Sequence, residues 1–109
     1  MPRDLDIIID ILNACNAIHN FISGFSENDF FSDQKTQSAV IYQLMIIGEA
    51  AKRLSSDFRT THKTIPWQDW GDFRNILIHQ YDGIELEQVW FTISREIPEL
   101  KEYLQELAQ

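Results

Sequence analysis

Apolar residues recur along this chain with helical period almost from end to end, and no other feature limits its fold so sharply. Leu5, Ile8, Leu12, Cys15, Ile18, Ile22 and Phe25 step by three or four residues, which sets them on one face of a helix. A second stripe, Ile7, Ile11, Ala14, Ile18 and Phe21, lies beside it. So wide an arc exceeds what one neighbour covers and predicts burial in a bundle or against a second subunit. Gly24 can stop this helix, with Ser26, Asn28 and Asp29 following as loop chemistry. Ser32 or Asp33 can cap the next one, whose stripe is Ile41, Leu44, Gly48, Ala51, Leu54 and Phe58. Gly48 costs that helix about 1 kcal/mol relative to Ala, so the sequence predicts a close approach by a neighbouring helix there.

From Ser55 to Thr64 the chain is polar and aperiodic, and it reads as a connection. Pro66 suits the first turn of a third helix, marked by Trp70, Phe73 and Leu77. That helix is expected to fray near Gln80 and Tyr81, with Asp82-Gly83 making a turn. Leu86, Val89, Ile93, Ile97, Leu100, Leu104 and Leu107 mark a last segment, interrupted by Pro98. Proline there removes a backbone bond and crowds the carbonyl of Ser94, which predicts a kink or two helices meeting end to end. No segment alternates in polarity. The expectation is an all-α bundle of four or five helices, one domain over residues 1–109.

A chain of 109 residues, 44% hydrophobic and 24% charged, can bury a core without a metal or disulfide staple. Its 9 Lys+Arg against 17 Asp+Glu leave a net charge of −8, which argues against broad adhesion to nucleic acid or anionic lipid but leaves room for a small cationic site. The single cysteine, Cys15, can form neither an internal disulfide nor a thiolate zinc cage, so a reducing compartment is expected. No apolar run approaches the ~20 residues of a membrane span. Asp4 and Asp6 interrupt any signal core behind Arg3. A cytoplasmic protein without membrane contact is expected.

Chemistry concentrates in Arg74-Asn75-Ile76-Leu77-Ile78-His79-Gln80-Tyr81. At about 100° per residue, Asn75 and His79 share a helix face, while Arg74 stands well round from His79 and must swing its long side chain to join them. A guanidinium pairs two phosphate oxygens and their developing charge. An imidazole can take a proton from a 2′-hydroxyl or return one to a leaving oxygen. Asn75 can orient the phosphate or the ring, and Tyr81 offers a hydroxyl and a stacking surface. Such a set could cut RNA without metal, but not DNA, which lacks the internal nucleophile. The same Arg and His could instead serve the carboxyl end of a helix, bonding its last carbonyls. No Gly-rich phosphate loop, His-rich ligand set or Ser/His/Asp arrangement is visible, so neither metal nor cofactor is expected.

Other residues read as structural. Cys15 and His19 are four apart on one helix, but two ligands make no metal site. Core packing suits Cys15, and a satisfied structural role suits His19. His62 falls in the polar connection and is expected to be solvated. Trp67, Trp70 and Trp90 follow apolar spacing and read as core or dimer packing. Glu49, beside Gly48, can pair with Arg74 and orient it, or simply be exposed. Glu85, Glu87, Glu96, Glu99, Glu102 and Glu106 read as a solvated face.

Ile65-Pro66-Trp67 through Tyr81 resembles the signature of HepT-type proteins of the HEPN superfamily: Arg, four to six residues, His, then x-Tyr. Tyr42-Gln43-Leu44-Met45-Ile46-Ile47-Gly48-Glu49-Ala50 resembles the same family's second-helix motif, and Val89-Trp90 with the final amphipathic helix also fits. The resemblance implies a HEPN-like helical fold and a homodimer with the motif helices at or near the interface. It implies a toxin of a toxin–antitoxin pair, a metal-independent ribonuclease with tRNA among its targets. Arg74 and His79 would be the catalytic pair and Asn75 their polar support; Glu49 joins them as a support residue from its place beside Gly48. The implied partner is an MNT-type nucleotidyltransferase antitoxin that transfers AMP to Tyr81. The phosphate so placed would neutralise Arg74, and the nucleotide would stand where RNA must lie. The competing expectation is a non-catalytic helical module that binds a nucleotide or the nucleotidyltransferase. A third is a purely structural dimerisation domain.

Overall fold

A computed structural model describes residues 2–79 and 83–108, and every regular element among them is helical. Three long helices, α1 (Pro2–Phe21), α3 (Gln34–Arg53) and α5 (Trp67–His79), carry the bundle, with α3 packed against both of the others. Short helices α2 (Glu27–Phe31) and α4 (Ser56–Thr61) lie in the two connections. The last segment runs as α6 (Leu86–Phe91), a π-helical turn (Thr92–Glu96) and α7 (Ile97–Leu107), which returns along α1. The all-α bundle follows from the sequence pattern. Gln80, Tyr81 and Asp82 lie outside the described residues, and with them the expected fraying and most of the expected turn.

The core takes the predicted stripes with local exceptions. Ile8, Ile11, Cys15 and Ile18 of α1 are buried, as are Leu44, Gly48 and Ala51 of α3, Trp70 and Leu77 of α5, and Val89, Ile93, Ile97, Leu100 and Leu104 of the last segment. Leu5 and Phe21, expected on buried stripes, are 49% and 39% exposed, Leu5 although its neighbour Asp4 is buried and Phe21 in the last turn of α1. Leu107 is exposed at the end of α7. Trp67 and Trp70 are core residues, and Trp90 is half-buried with its ring 5.5 Å from that of Phe30. Burial, only partly offset by the Lys101 charge, pushes the Cys15 thiol up to about 12, so it stays protonated and inert.

Two stretches differ from their reading as loops. Ser26 and Asp29 form a reciprocal capping box: the Asp29 N–H donates to Ser26 Oγ at 3.1 Å, and the Ser26 N–H donates to Asp29 Oδ2 at 2.9 Å. Polar residues there start a helix, and the turn drives Phe30 into the core. Gln37 then donates to the carbonyls of Phe30 and Phe31, at 2.9 and 3.1 Å. Of the two candidate caps for the next helix, Asp33 accepts from the Thr36 N–H at 3.1 Å, while the Ser32 hydroxyl donates back to the Asn28 carbonyl. Gly24 ends the α1 region with φ +80°, a conformation that disfavours any side chain.

In the second stretch Ser55 caps α4 by accepting from the Phe58 N–H at 3.1 Å. The helix brings Phe58 and His62, four apart, to one face, their rings 4.4 Å apart. His62 is therefore half-buried rather than solvated: its Nδ1 lies 2.8 Å from the Tyr103 hydroxyl, and its carbonyl accepts from the indole N–H of Trp67 at 3.0 Å. His19, by contrast, is exposed, and Glu96 is half-buried while the other five glutamates named with it are exposed.

Pro98 produces the predicted interruption in a specific form. Its missing N–H cannot bond the Ser94 carbonyl, and the helix widens one turn earlier, where the Ile97 N–H reaches back five residues to Thr92.

The start of α1 is tied to α4 by one carboxylate. Asp4 accepts the Ser55 N–H at 2.9 Å and the Ser55 hydroxyl at 2.7 Å, and these bonds hold its carboxyl below the ordinary value. A depressed folded-state value means this stabilisation is complete above the unfolded carboxyl's pKa and fades as pH falls through the folded one. Asp4→Asn should therefore lose about 1–2 kcal/mol at pH 7. The gap from wild type should begin to narrow below about pH 4 and close only beneath the depressed folded-state value, as read by urea unfolding midpoints from pH 7 downward.

Candidate active site at the crossing of α3 and α5

Gly48 lets two helices touch. A Cβ at that position would overlap Arg74 Cβ and stand 2.7 Å from the Trp70 carbonyl oxygen, so the missing side chain is the space that α5 occupies. The close approach predicted at Gly48 is present, and it plants the base of Arg74 directly on α3. Arg74 is half-buried, its side chain 28% exposed, and both terminal nitrogens of its guanidinium are engaged. Nη2 pairs with Glu49 Oε2 at 2.8 Å, and Nη1 donates to Asn75 Oδ1 at 3.1 Å.

A second cation joins this network from α3. Lys52 Nζ donates to the same Asn75 Oδ1 at 3.0 Å. Its stem crosses α5 over Gly71, where a Cβ would lie 3.0 Å from Lys52 Cε and 3.1 Å from Cγ. The sequence marks Lys52 only by its place three residues after Glu49, too little to single it out. Arg53 stands alongside, 3.7 Å from Asp10, with both side chains about half exposed, a pair worth little in water. A chain of net charge −8 thus gathers Lys52, Arg53 and Arg74 at one place, with Glu49 and Asp10 as their counter-ions.

Beside Arg74 runs a groove of about 640 Å³ between α1, α3 and α5. Polar groups of Asn13, Glu49 and Arg74 line it together with Tyr42, Met45 and Ile46. Tyr42 is 61% exposed, a large ring left in water at the groove's edge.

The expected site residues are therefore only partly assembled within one chain. Arg74, Asn75 and Glu49 form one hydrogen-bonded group. His79 is the last residue of α5 and is exposed; among the described residues no hydrogen bond links it to Arg74, and it does not line the groove beside Arg74. The reason is helical twist: five residues of about 100° carry the two side chains to different sides of α5. Tyr81 lies outside the described residues. Among the described residues no group of three or more His, Cys, Asp or Glu side chains is placed to hold a metal ion, and no helix is long and apolar enough to cross a membrane.

Comparison with known proteins gives consistent matches over nearly the whole chain. The sequence profile of a family described as ribonuclease HepT-like matches residues 11–107. A protein of Thermococcus cleftensis described as a probable ribonuclease HepT is 42% identical over 96 residues, 88% of this chain and 87% of that one. A protein of Caldanaerobacter subterraneus subsp. tengcongensis described as a candidate RNase is 38% identical over 99 residues, 91% of this chain and 88% of its own length. Another candidate RNase, from Methanocaldococcus jannaschii, is 36% identical over 109 residues, covering 98% of this chain and 94% of that protein. No solved structure matches the chain significantly.

Proposed function

The chain belongs to the HepT-like ribonuclease family, and on that premise we propose that it cleaves RNA without metal, using Arg74 and His79. The observation that carries this reading is the half-buried Arg74, held at the α3–α5 crossing with its fork steered by Glu49 and Asn75. A guanidinium so placed can bind a scissile phosphate through two oxygens and stabilise the charge that develops on them. An imidazole takes the proton of the 2′-hydroxyl, whose oxygen attacks the adjacent phosphorus. The bond to the 5′-oxygen breaks, that oxygen receives a proton, and a 2′,3′-cyclic phosphate remains.

One chain offers a single motif histidine, and it stands apart from Arg74. Two copies about a two-fold axis would supply two imidazoles and two guanidiniums to one cleft. The exposed Tyr42 and the groove beside Arg74, where Met45 and Ile46 lie among polar and charged groups, support a homodimer that covers this face. In this reading the protein is a toxin with tRNA among its substrates. An MNT-type nucleotidyltransferase antitoxin silences it by joining the α-phosphate of ATP to the Tyr81 hydroxyl, with pyrophosphate leaving. The position of Tyr81 two residues beyond His79 supports that role.

The competing reading, a non-catalytic module that binds a nucleotide or the nucleotidyltransferase, draws on the distance of His79 from the Arg74 network and on the acidic net charge. Purified protein, checked by intact mass for absence of added AMP, separates the two when incubated with tRNA in excess EDTA. Cleavage leaving 2′,3′-cyclic phosphate ends, and lost in His79→Ala protein that still melts like wild type, is the expected result. Intact RNA after incubation with folded, unmodified protein would overturn the nuclease reading and favour the module.

A further inference from the structure

We propose that Lys52 is a second phosphate-binding residue of this site, clamped in readiness by Asn75 and given its path across α5 by Gly71. The inference rests on reading the α3–α5 crossing as an RNA site, and it adds to that reading a residue outside the Arg/His motif. Its basis is an arrangement with no evident structural purpose: two like charges donate to one neutral oxygen. Asn75 Oδ1 accepts Lys52 Nζ at 3.0 Å and Arg74 Nη1 at 3.1 Å. Among the described residues Arg74 has a carboxylate beside it, Glu49 at 2.8 Å, and Lys52 has none within ion-pair distance. The Lys52 bond is exposed, where water would serve an ammonium equally well, so it contributes little to stability.

An anion entering between the two heads would relieve their repulsion, and a phosphate oxygen offers a full charge where Asn75 offers a dipole. The amide thus marks a point toward which both cations already converge. Because it is neutral, exchange costs less than freeing each from a carboxylate. Gly71 leaves this path open: a Cβ there would press on Lys52 Cε and Cγ at 3.0 and 3.1 Å, and the stem would have to shift by a few tenths of an ångström. A lysine on α3 and a glycine on α5 therefore act together. The pair also answers how so acidic a chain holds RNA, by a short cationic footprint rather than a basic face.

The test is binding of an RNA of roughly 12 nucleotides carrying 2′-O-methyl riboses, which cannot be cut through its own hydroxyl. Fluorescence anisotropy is followed over a range of KCl concentrations. Lys52→Ala should weaken binding about fivefold and flatten the plot of log K against log salt by about 0.7, the contribution of one lost contact to a single strand. Lys52→Arg should restore most of the slope. Gly71→Ala should weaken binding in the same direction while raising the melting temperature, since alanine favours the helix. An unchanged salt slope in Lys52→Ala, with circular dichroism and melting like wild type, overturns the proposal. Because the probe is uncleavable, a wild-type protein that binds it with a slope that Lys52→Ala flattens, but cuts no RNA, would sink the nuclease reading and leave the clamp standing.

Discussion

Arg74→Ala is expected to lower RNA cleavage by about 10²- to 10³-fold, the loss typical of removing one donor aimed at developing charge. His79→Ala should cost about 10²- to 10⁴-fold, the range of a general acid or base. The two differ in what they leave behind. Arg74 is half-buried and bonded to Glu49 and Asn75, so its loss also leaves the Glu49 carboxylate facing the groove without its cation. RNA binding should weaken along with the rate. His79 is exposed at a helix end, so its loss should leave melting and RNA binding near wild type and act on the rate alone. Arg74→Lys should recover little, because a single ammonium cannot satisfy Glu49 and Asn75 as a fork does. Single-turnover cleavage with matched binding curves checks all three. An Arg74→Ala protein that cuts RNA within a few-fold of wild type would remove the guanidinium from the chemistry.

The second large effect is on stability and then on the site. Gly48→Ala places a methyl group where Arg74 Cβ and the Trp70 carbonyl already stand, and neither is the free end of a flexible chain. Overpacking of this kind costs about 1–3 kcal/mol, and two obstructing groups put Gly48 at the upper end. Alanine's better helix propensity returns about 1 kcal/mol. The net loss is about 2 kcal/mol, or a fall in melting temperature of about 10 °C for a domain of this size. Because α5 moves outward with Arg74, cleavage should fall below what the lost stability explains at temperatures where the variant is folded. Gly71→Ala is the control, since its nearest neighbour is a flexible lysine stem. Calorimetry on the two variants should give shifts of opposite sign. A Gly48→Ala protein more stable than wild type would mean that the helices do not touch there.

Much of the fold was legible because helical burial repeats in sequence. The stripes of α1, α3, α5 and α7 needed only spacing to be read. Gly48 was readable too, as a residue that weakens its helix without a local reason. The short helices were harder. α2 and α4 have too few residues for period to show, and their starts rest on capping by Ser26 and Ser55, whose polar side chains look like loop chemistry. His62 followed from that gap, since only a helical turn brings it over Phe58 and toward Tyr103.

The candidate site divides the same way. Arg74, Asn75 and His79 stand out because three reactive types fall within one helical end, and Glu49 because it neighbours the contact glycine. Lys52 did not, because its importance lies in an oxygen on another helix, 23 residues away.

By itself, then, the sequence determined that this chain is an all-helical bundle and placed most of its candidate site residues along the second half of α5, since period and composition are local quantities that no partner can alter. Tertiary structure alone decided which charges meet. It set Arg74 on Gly48, joined it to Glu49 and to Lys52 through Asn75, and left His79 turned away. Those outcomes depend on how two helices cross, and a crossing is fixed by surfaces far apart in the chain.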